Sequence, residues 1–343
     1  MSEEVPKEVV KSASAPSPSS LSGLALPTPR TDLFDAAITN AFISTNPEIP
    51  ETALYGSART GSDGRSRFHK GIDIAPVLPR TRKGEATDPV SAIADGTVLY
   101  VNRYAGNSSY GIYVVLLHAD PVGEVYSLYA HLASVPKELR AGSSVKRGDA
   151  IGVLGRTSSV AKLPPWKSHL HFEAGLMLNS RFADWERETK QKPLRGNGHG
   201  WNLLPANPLE FLRSATESPD DFSMLAFLQS LHPACTIALH VERLPDYFQL
   251  HKPLWHGADV LPSGADIVLE LTDSGLVISG RLATEAESKT LAALPRKAAQ
   301  VAVLQTDPDL LGRNGMRLVV QDRGTWRFGS SESAHRWLEI LCR

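Results

Sequence analysis

The chain has 343 residues, which suggests two domains at about 150 residues per domain. Hydrophobic residues make up 42% and charged residues 21%, an ordinary soluble composition, and the net charge of -1 gives no electrostatic case for nucleic acid or an anionic membrane surface. Two cysteines, Cys235 and Cys342, exclude a disulfide scaffold and a Cys-rich zinc module, and no run approaches the ~20 apolar residues of a membrane-spanning helix.

The N-terminal "MSEEVPKEVV" lacks the basic and apolar regions of a signal peptide. It predicts a cytoplasmic protein, another export route, or a start that is not that of the natural precursor. Residues 1–30, rich in Ser, Pro and Ala, are expected to be a disordered tail. "DLFDAAITNAFI" predicts a short helix within 31–50, followed by a connector. From about 51 the texture turns to β. "PVSAIADGTVLYV", "GIYVVLLHAD", "VYSLYAHLA" and "DAIGVLG" are strand-length apolar runs bounded by Gly or Asp. Short strands at this spacing predict a mainly β unit, a sandwich or barrel-like core.

Residues 176–206 read as a long polar loop, and "NPLEFLRSA" as a closing helix. Beyond the linker-like "SATESPDD", residues 216–343 predict a separate α+β domain. "DFSMLAFLQSL" and "ESAHRWLEIL" have helical periodicity, and "CTIALHVE", "ADIVLEL", "GLVISGRL", "QVAVLQT" and "MRLVVQD" read as strands. This half carries no metal spacing, no phosphate loop and no nucleophile elbow. Its His232, His240, His251, His256 and His335 are scattered and read as packing or surface residues. By elimination, it is expected to bind a partner or place the chain on its substrate.

The chemistry concentrates in "FHKGID" and "SHLHFE". On a strand, residues i and i+2 share a face, so His169, His171 and Glu173 project together while Leu170, Phe172 and Ala174 enter a core. Three polar groups on one face are costly to bury without partners. His69 and Asp73 again share a side at even spacing, with Gly71 letting the backbone bend between them. Imidazole and carboxylate without thiolate suit Zn²⁺. His131 ends a strand. His118 reads as structural and His199 as a loop residue whose place near the site stays open, while Trp166, Trp185 and Trp201 read as packing residues. Glu173 is either a partner that orients an imidazole or a solvated carboxylate.

In this order the motifs resemble the lysostaphin/LytM-type zinc metallopeptidases, which cleave peptidoglycan and have the duplicated hybrid motif fold. The matching stretches are "LYGSAR", "FHKGIDIAP", "PVSAIADGTVLYV", "YGIYVVLLH", "LYAHLA", "VKRGDAIGVLGRTS" and "SHLHFE", over roughly residues 51–212. The resemblance implies that His69, Asp73 and His171 are zinc ligands and that His131 and His169 are non-ligand catalytic histidines. It also implies peptidoglycan peptides as substrate and a place in the cell envelope or outside the cell. Residue spacing alone does not make this division, since two His at i and i+2 can both bind one ion. Two segments depart from the family pattern: 77–88, longer and more charged than usual, and the 176–206 insertion. Both are expected to reshape the substrate groove. Two other functions stay open: a catalytically silent module that binds or activates another wall hydrolase, and a peptidase acting on non-wall peptides.

Overall fold

The computed structural model describes residues 18–35, 40–44, 46, 48–60, 66–160, 162–261, 264–294, 301–311 and 318–343. The N-terminal two-thirds contains β1 (Ala58–Thr60), β2 (Ser66–Phe68), β3 (Ile72–Ile74), β4 (Pro89–Ser91), β5 (Gly96–Asn102), β6 (Ile112–Asp120), β7 (Gly123–Leu132), β8 (Ser144–Val145), β9 (Ala150–Val153), β10 (Leu170–Met177), α1 (Phe182–Glu188), β11 (Leu203–Ala206) and α2 (Pro208–Glu217). The main sheet runs β11-β10-β7-β6-β5-β8, and its named pairings are antiparallel. β3 also pairs with β10, on the same edge as β11 but further toward its start. Period-two alternation is visible in β6. Val114 and Leu116 enter one core with Ile72, Leu170 and Phe172, whereas Tyr113 and Val115 enter a second with Tyr126, Leu128 and Ala130. The sheet is therefore covered on both faces, and all eight residues of β10 are buried.

The C-terminal third has α3 (Met224–Ser230), β12 (Cys235–Val241), α4 (Asp246–Leu250), β13 (Trp255–His256), β14 (Ala265–Leu271), β15 (Val277–Leu282), α5 (Glu285–Ala292), β16 (Val301–Thr306), α6 (Pro308–Leu311), β17 (Val319–Asp322), β18 (Thr325–Phe328) and α7 (Glu332–Leu341). A five-stranded sheet, β13-β15-β14-β12-β16, forms its centre. The five expected strands and both expected helices are present. Among the described residues, no helix is long and apolar enough to cross a membrane. Cys235 is buried, Cys342 is exposed, and both are free thiols.

Several sequence expectations need correction. Residues 18–30 are not a loose tail: Leu21 is fully buried, Ser20 N–H donates to Ala119 O, and Ala25 N–H donates to Ile93 O. Residues 1–17 lie outside the described residues. The helix expected within 31–50 is absent from the described part, with 36–39 outside it. Instead Phe42 bridges to Ile74, Ile43 N–H donates to Asp73 O, and Ala75 N–H donates to Ala41 O. Pairing with β3 overrides the helical period there. The insertion is not structureless, since it holds the end of β10, then α1 and β11. The linker-like stretch is helical to Glu217.

The two halves are closely docked. The buried ring of His251 reaches Met177 O (3.0 Å) and Val122 O (3.3 Å), Ser274 Oγ donates to Pro205 O (2.8 Å), and Asn179 Nδ2 donates to Ile340 O (3.0 Å). One buried apolar cluster runs through both.

Candidate metal centre

The register of β10 assembles the site. His171 lies directly opposite Asp73 of β3 and Ala130 of β7. A Cβ on Gly71 would fall 2.5 Å from Phe172 O and 2.8 Å from the His171 ring, so only glycine lets the turn before β3 lie this close to β10. The four imidazoles share one pattern: each is fixed through one ring nitrogen to an oxygen that can only accept.

His69 Nδ1 is 2.8 Å from Leu54 O, His131 Nδ1 2.7 Å from Thr157 O, and His169 Nδ1 2.8 Å from Lys167 O. A carbonyl cannot donate, so Nδ1 carries the proton in all three and Nε2 is left as the acceptor. His171 is pinned the other way, through Nε2 to Glu173 Oε1 at 3.0 Å, which turns Nδ1 inward.

The inward atoms converge. His69 Nε2 lies 3.1 Å from Asp73 Oδ1 and 3.0 Å from His171 Nδ1, which itself lies 3.0 Å from Asp73 Oδ1. These three residues are buried and their donor atoms form one group of metal-binding type. With His69 and His171 both neutral, three lone pairs face one another, an arrangement that a cation relieves. A tetrahedral zinc with bonds of roughly 2.0–2.2 Å needs ligand separations of roughly 3.3–3.6 Å. The triangle is only a few tenths of an ångström tighter, so the residues fit the ion.

His131 and His169 flank this triangle without joining it. Their rings are 4.8 Å apart, and His131 is 5.8 Å from His171 between ring centres. His169 Nε2 is 3.7 Å from the outer carboxylate oxygen of Asp73. Strict alternation would send His131 to the face opposite Ala130. Its φ of 60° returns the ring to the side of His171, at a cost of about 1–3 kcal/mol that the surrounding sheet sustains.

Residues 67–181 match peptidase family M23. This segment is an M23 peptidase domain. Similar solved structures include a zinc-containing peptidase from Vibrio cholerae, at 27% identity over 36% of this chain and 32% of that one, with a TM-score of 0.27. The catalytic domain of lysostaphin from Staphylococcus simulans matches at 26% identity over 35% of this chain and 75% of that one, with a TM-score of 0.26. A putative glycyl-glycine endopeptidase LytM from Ruminococcus gnavus matches at 24% over 44% and 48%, with a TM-score of 0.29. The chain thus spans about a third of the length of the Vibrio peptidase. A search of curated proteins finds no match.

Electrostatics divide the histidines of the M23 domain. Burial lowers His131 to about 3, helped by the neighbouring His169 and His171, and lowers His69 to about 4 against the pull of Asp73. Burial likewise lowers His169. His171 is the exception. Burial opposes its charge, but hydrogen bonds to Asp73 and Glu173 prevail and push it up to about 9. In the metal-free site a proton on His171 therefore stands where a cation would otherwise sit. Asp73 is held well below the usual carboxylate range: burial raises it, but His69, His169 and Arg59 outweigh that.

Three supporting residues lie in quoted stretches, but the sequence alone assigns them no role. Arg59 places its Nη2 2.6 Å from Asp73 Oδ2, holding the outer oxygen while Oδ1 faces the imidazoles. Tyr110 and Tyr126 donate to Glu173 at 2.6 and 3.1 Å. Glu173 is fully buried, so its solvated reading is excluded and it orients His171. His118 is buried between Asp95 O and Ser127 Oγ, far from this chemistry in its contacts.

Both departures from the family pattern border the cleft. Glu85, from 77–88, pairs bidentately with Arg156, and both line a cavity of about 510 Å³ beside Thr157. The insertion supplies Gln191 to Pro193, Arg195, His199, Gly200 and Trp201 to a second cavity of about 500 Å³, which meets the first at Ser159. Trp185 is buried, as expected. Trp201 lines the second cavity, and Trp166 is 71% exposed rather than packed.

Proposed function

We propose that the M23 domain is a zinc-dependent endopeptidase that hydrolyses peptide bonds in bacterial peptidoglycan stem peptides or cross-links, acting at the cell envelope or outside the cell. The observation that carries this reading is the pairing of a three-acceptor metal site with two neutral imidazoles whose free Nε2 atoms flank it.

In this reading His69, Asp73 and His171 hold zinc, which when bound supplies Lewis-acid polarisation of a carbonyl and a water of lowered pKa. His131 and His169 are the proton-handling groups. Each keeps Nδ1–H on a carbonyl, so only Nε2 is open to take a proton from an attacking water and return it to a leaving amine. Burial keeps both neutral, which is the state a base needs. Arg59 positions Asp73, and Glu173 positions His171.

The test combines zinc content with mass spectrometry of fragments released from defined muropeptides. His171→Ala should lose both zinc and turnover. His131→Ala should keep zinc while turnover falls by about 10²–10⁴-fold. Equal zinc loss in both variants would contradict the division of roles. Stoichiometric zinc with no released fragment would leave a binding module instead of an enzyme.

A further inference from the structure

The cavity bordered by the insertion is polar and one-signed. It is lined by Arg67, Lys70, Lys192, Arg195 and His199, and no Asp or Glu is among its described lining residues. Two carboxylates stand behind the wall rather than in it. Glu173 lies beyond Tyr110, and Glu186 accepts from the backbone N–H groups of Arg195 and Gly196. The cavity begins at the catalytic centre, because Lys70 follows His69 in sequence and the Tyr110 ring lies 5.5 Å from that of His171.

Its cations are held in place. Lys70 Nζ donates to Gly200 O and Leu203 O at 2.7 and 2.9 Å, which ties the insertion to the strand edge. Arg195 spends Nη1 on His199 at 2.9 Å and Nη2 on Asn107 O, while its buried Nε has no partner among the described residues. Among the described residues, the buried side-chain polar atoms without a partner are Trp185 Nε1, Arg195 Nε and Asn197 Oδ1, and all three belong to the insertion. The other cavity along the cleft is different, since Glu85 neutralises Arg156 there.

We propose that this cavity is a carboxylate-binding subsite: it takes an anionic group on one side of the bond to be cleaved, either the free C-terminus of a peptide or an acidic side chain. This rests on the peptidase reading for its place along a substrate. The charge asymmetry of the two cavities sets the direction in which the peptide lies. Lys192, exposed at the cavity mouth, and Arg195, in its wall, are the specificity-determining residues.

Four matched acetylated tetrapeptides form the probe, with Glu or Gln at the second position and a free or amidated C-terminus. Binding to the full chain is measured by calorimetry, so the result does not depend on cleavage. The wild-type chain should bind a carboxylate-bearing peptide about fivefold to tenfold more tightly than its amide counterpart. Whichever pair discriminates identifies the source of the carboxylate. Lys192→Glu and Arg195→Gln should collapse that ratio, and Lys162→Gln, at the other cavity, should keep it. The ratio within each variant cancels a general loss of folding. No discrimination by the wild-type chain, or discrimination that survives both variants, overturns the proposal. Binding of inorganic phosphate alone, with all four peptides equal, overturns it in favour of a phosphate site. If peptides bind with the expected ratio but none is cleaved, the subsite stands and the peptidase reading falls.

Discussion

Replacing Glu173 with Gln should separate two effects that oppose each other at neutral pH. Glu173 holds Nε2–H of His171 and so turns Nδ1 toward the metal triangle. Losing a partner of this kind typically lowers metal affinity about 10–100-fold. The same carboxylate also helps keep His171 protonated in the metal-free chain, where its pKa stands at about 9. A proton and a metal ion compete for Nδ1, and at pH 7 a pKa of about 9 weakens apparent binding by about 100-fold. If Glu173→Gln returns His171 toward its ordinary value near 6.5, that competition shrinks to about 1.3-fold. The two changes nearly cancel at pH 7, and only above about pH 9.5 should the loss of affinity appear in full. Zinc binding is measured against a competing chelator from pH 6.5 to 10. Proton release is read by calorimetry in two buffers of different ionisation enthalpy. Wild-type chain should release about one proton per zinc at pH 7 and about half a proton near pH 9, whereas the variant should release about a quarter at pH 7. Equal affinity of the two chains at pH 10, or no proton released by the wild type at pH 7, would refute the argument.

Acid should destabilise the fold through histidines remote from the metal. Burial lowers His118 and His251 to about 4, below an unfolded value near 6.5, so stability from their neutral forms is present above pH 6.5 and is lost as pH falls toward 4. Each contributes up to about 3 kcal/mol, and urea midpoints at pH 7 and 4.5 should show a smaller acid loss in His118→Gln than in the wild-type chain. An unchanged difference would exclude His118 from this effect. The C-terminal half should matter to the cleft through α7, whose Arg336 guanidinium lies 3.6 Å over the Trp201 ring. Arg336→Ala removes a contact of about 0.5–2 kcal/mol and should raise KM and speed proteolysis of the insertion, leaving zinc content intact. Unaltered proteolysis and KM would show that α7 does not brace the loop.

The parts legible in the sequence are those where a short period coincides with a buried strand. The alternation of His169, His171 and Glu173 with Leu170, Phe172 and Ala174 marked β10, and the even spacing of His69 and Asp73 marked a shared side. What periodicity could not show is that the polar face of β10 is also buried, with Tyr110 and Tyr126 donating to Glu173. Arg59 lies in the quoted "LYGSAR", but its pairing carries no local signal because its partner is fourteen residues away. Residues 18–30 look disordered by composition, yet Leu21 and a few backbone hydrogen bonds hold them to distant strands. The period of 32–43 favours a helix, but an available edge at β3 satisfies its described backbone better. α1 has only seven residues, too short for a clear helical pattern within a polar insertion.

β10 links the metal-binding triangle to the insertion. Its first half pairs with β3, which carries Asp73, and its second half with β11, where the insertion ends. A Cβ on Gly175 would fall 2.0 Å from Leu204 O, so β11 lies against β10 with no room for a side chain between them. Leu203 O, on β11, is one of the two acceptors that hold Lys70, the residue after His69. The insertion is therefore joined to the candidate metal centre at two points, through β10 and through Lys70. The C-terminal half holds the same insertion from outside, by Asn179 to Ile340 O and Trp201 under Arg336. A family pattern confined to 67–181 cannot reveal this, because the contacts that position the cleft wall come from residues beyond it. The chemistry of the site is local to a few short strands, whereas the shape of the cleft depends on both halves of the chain.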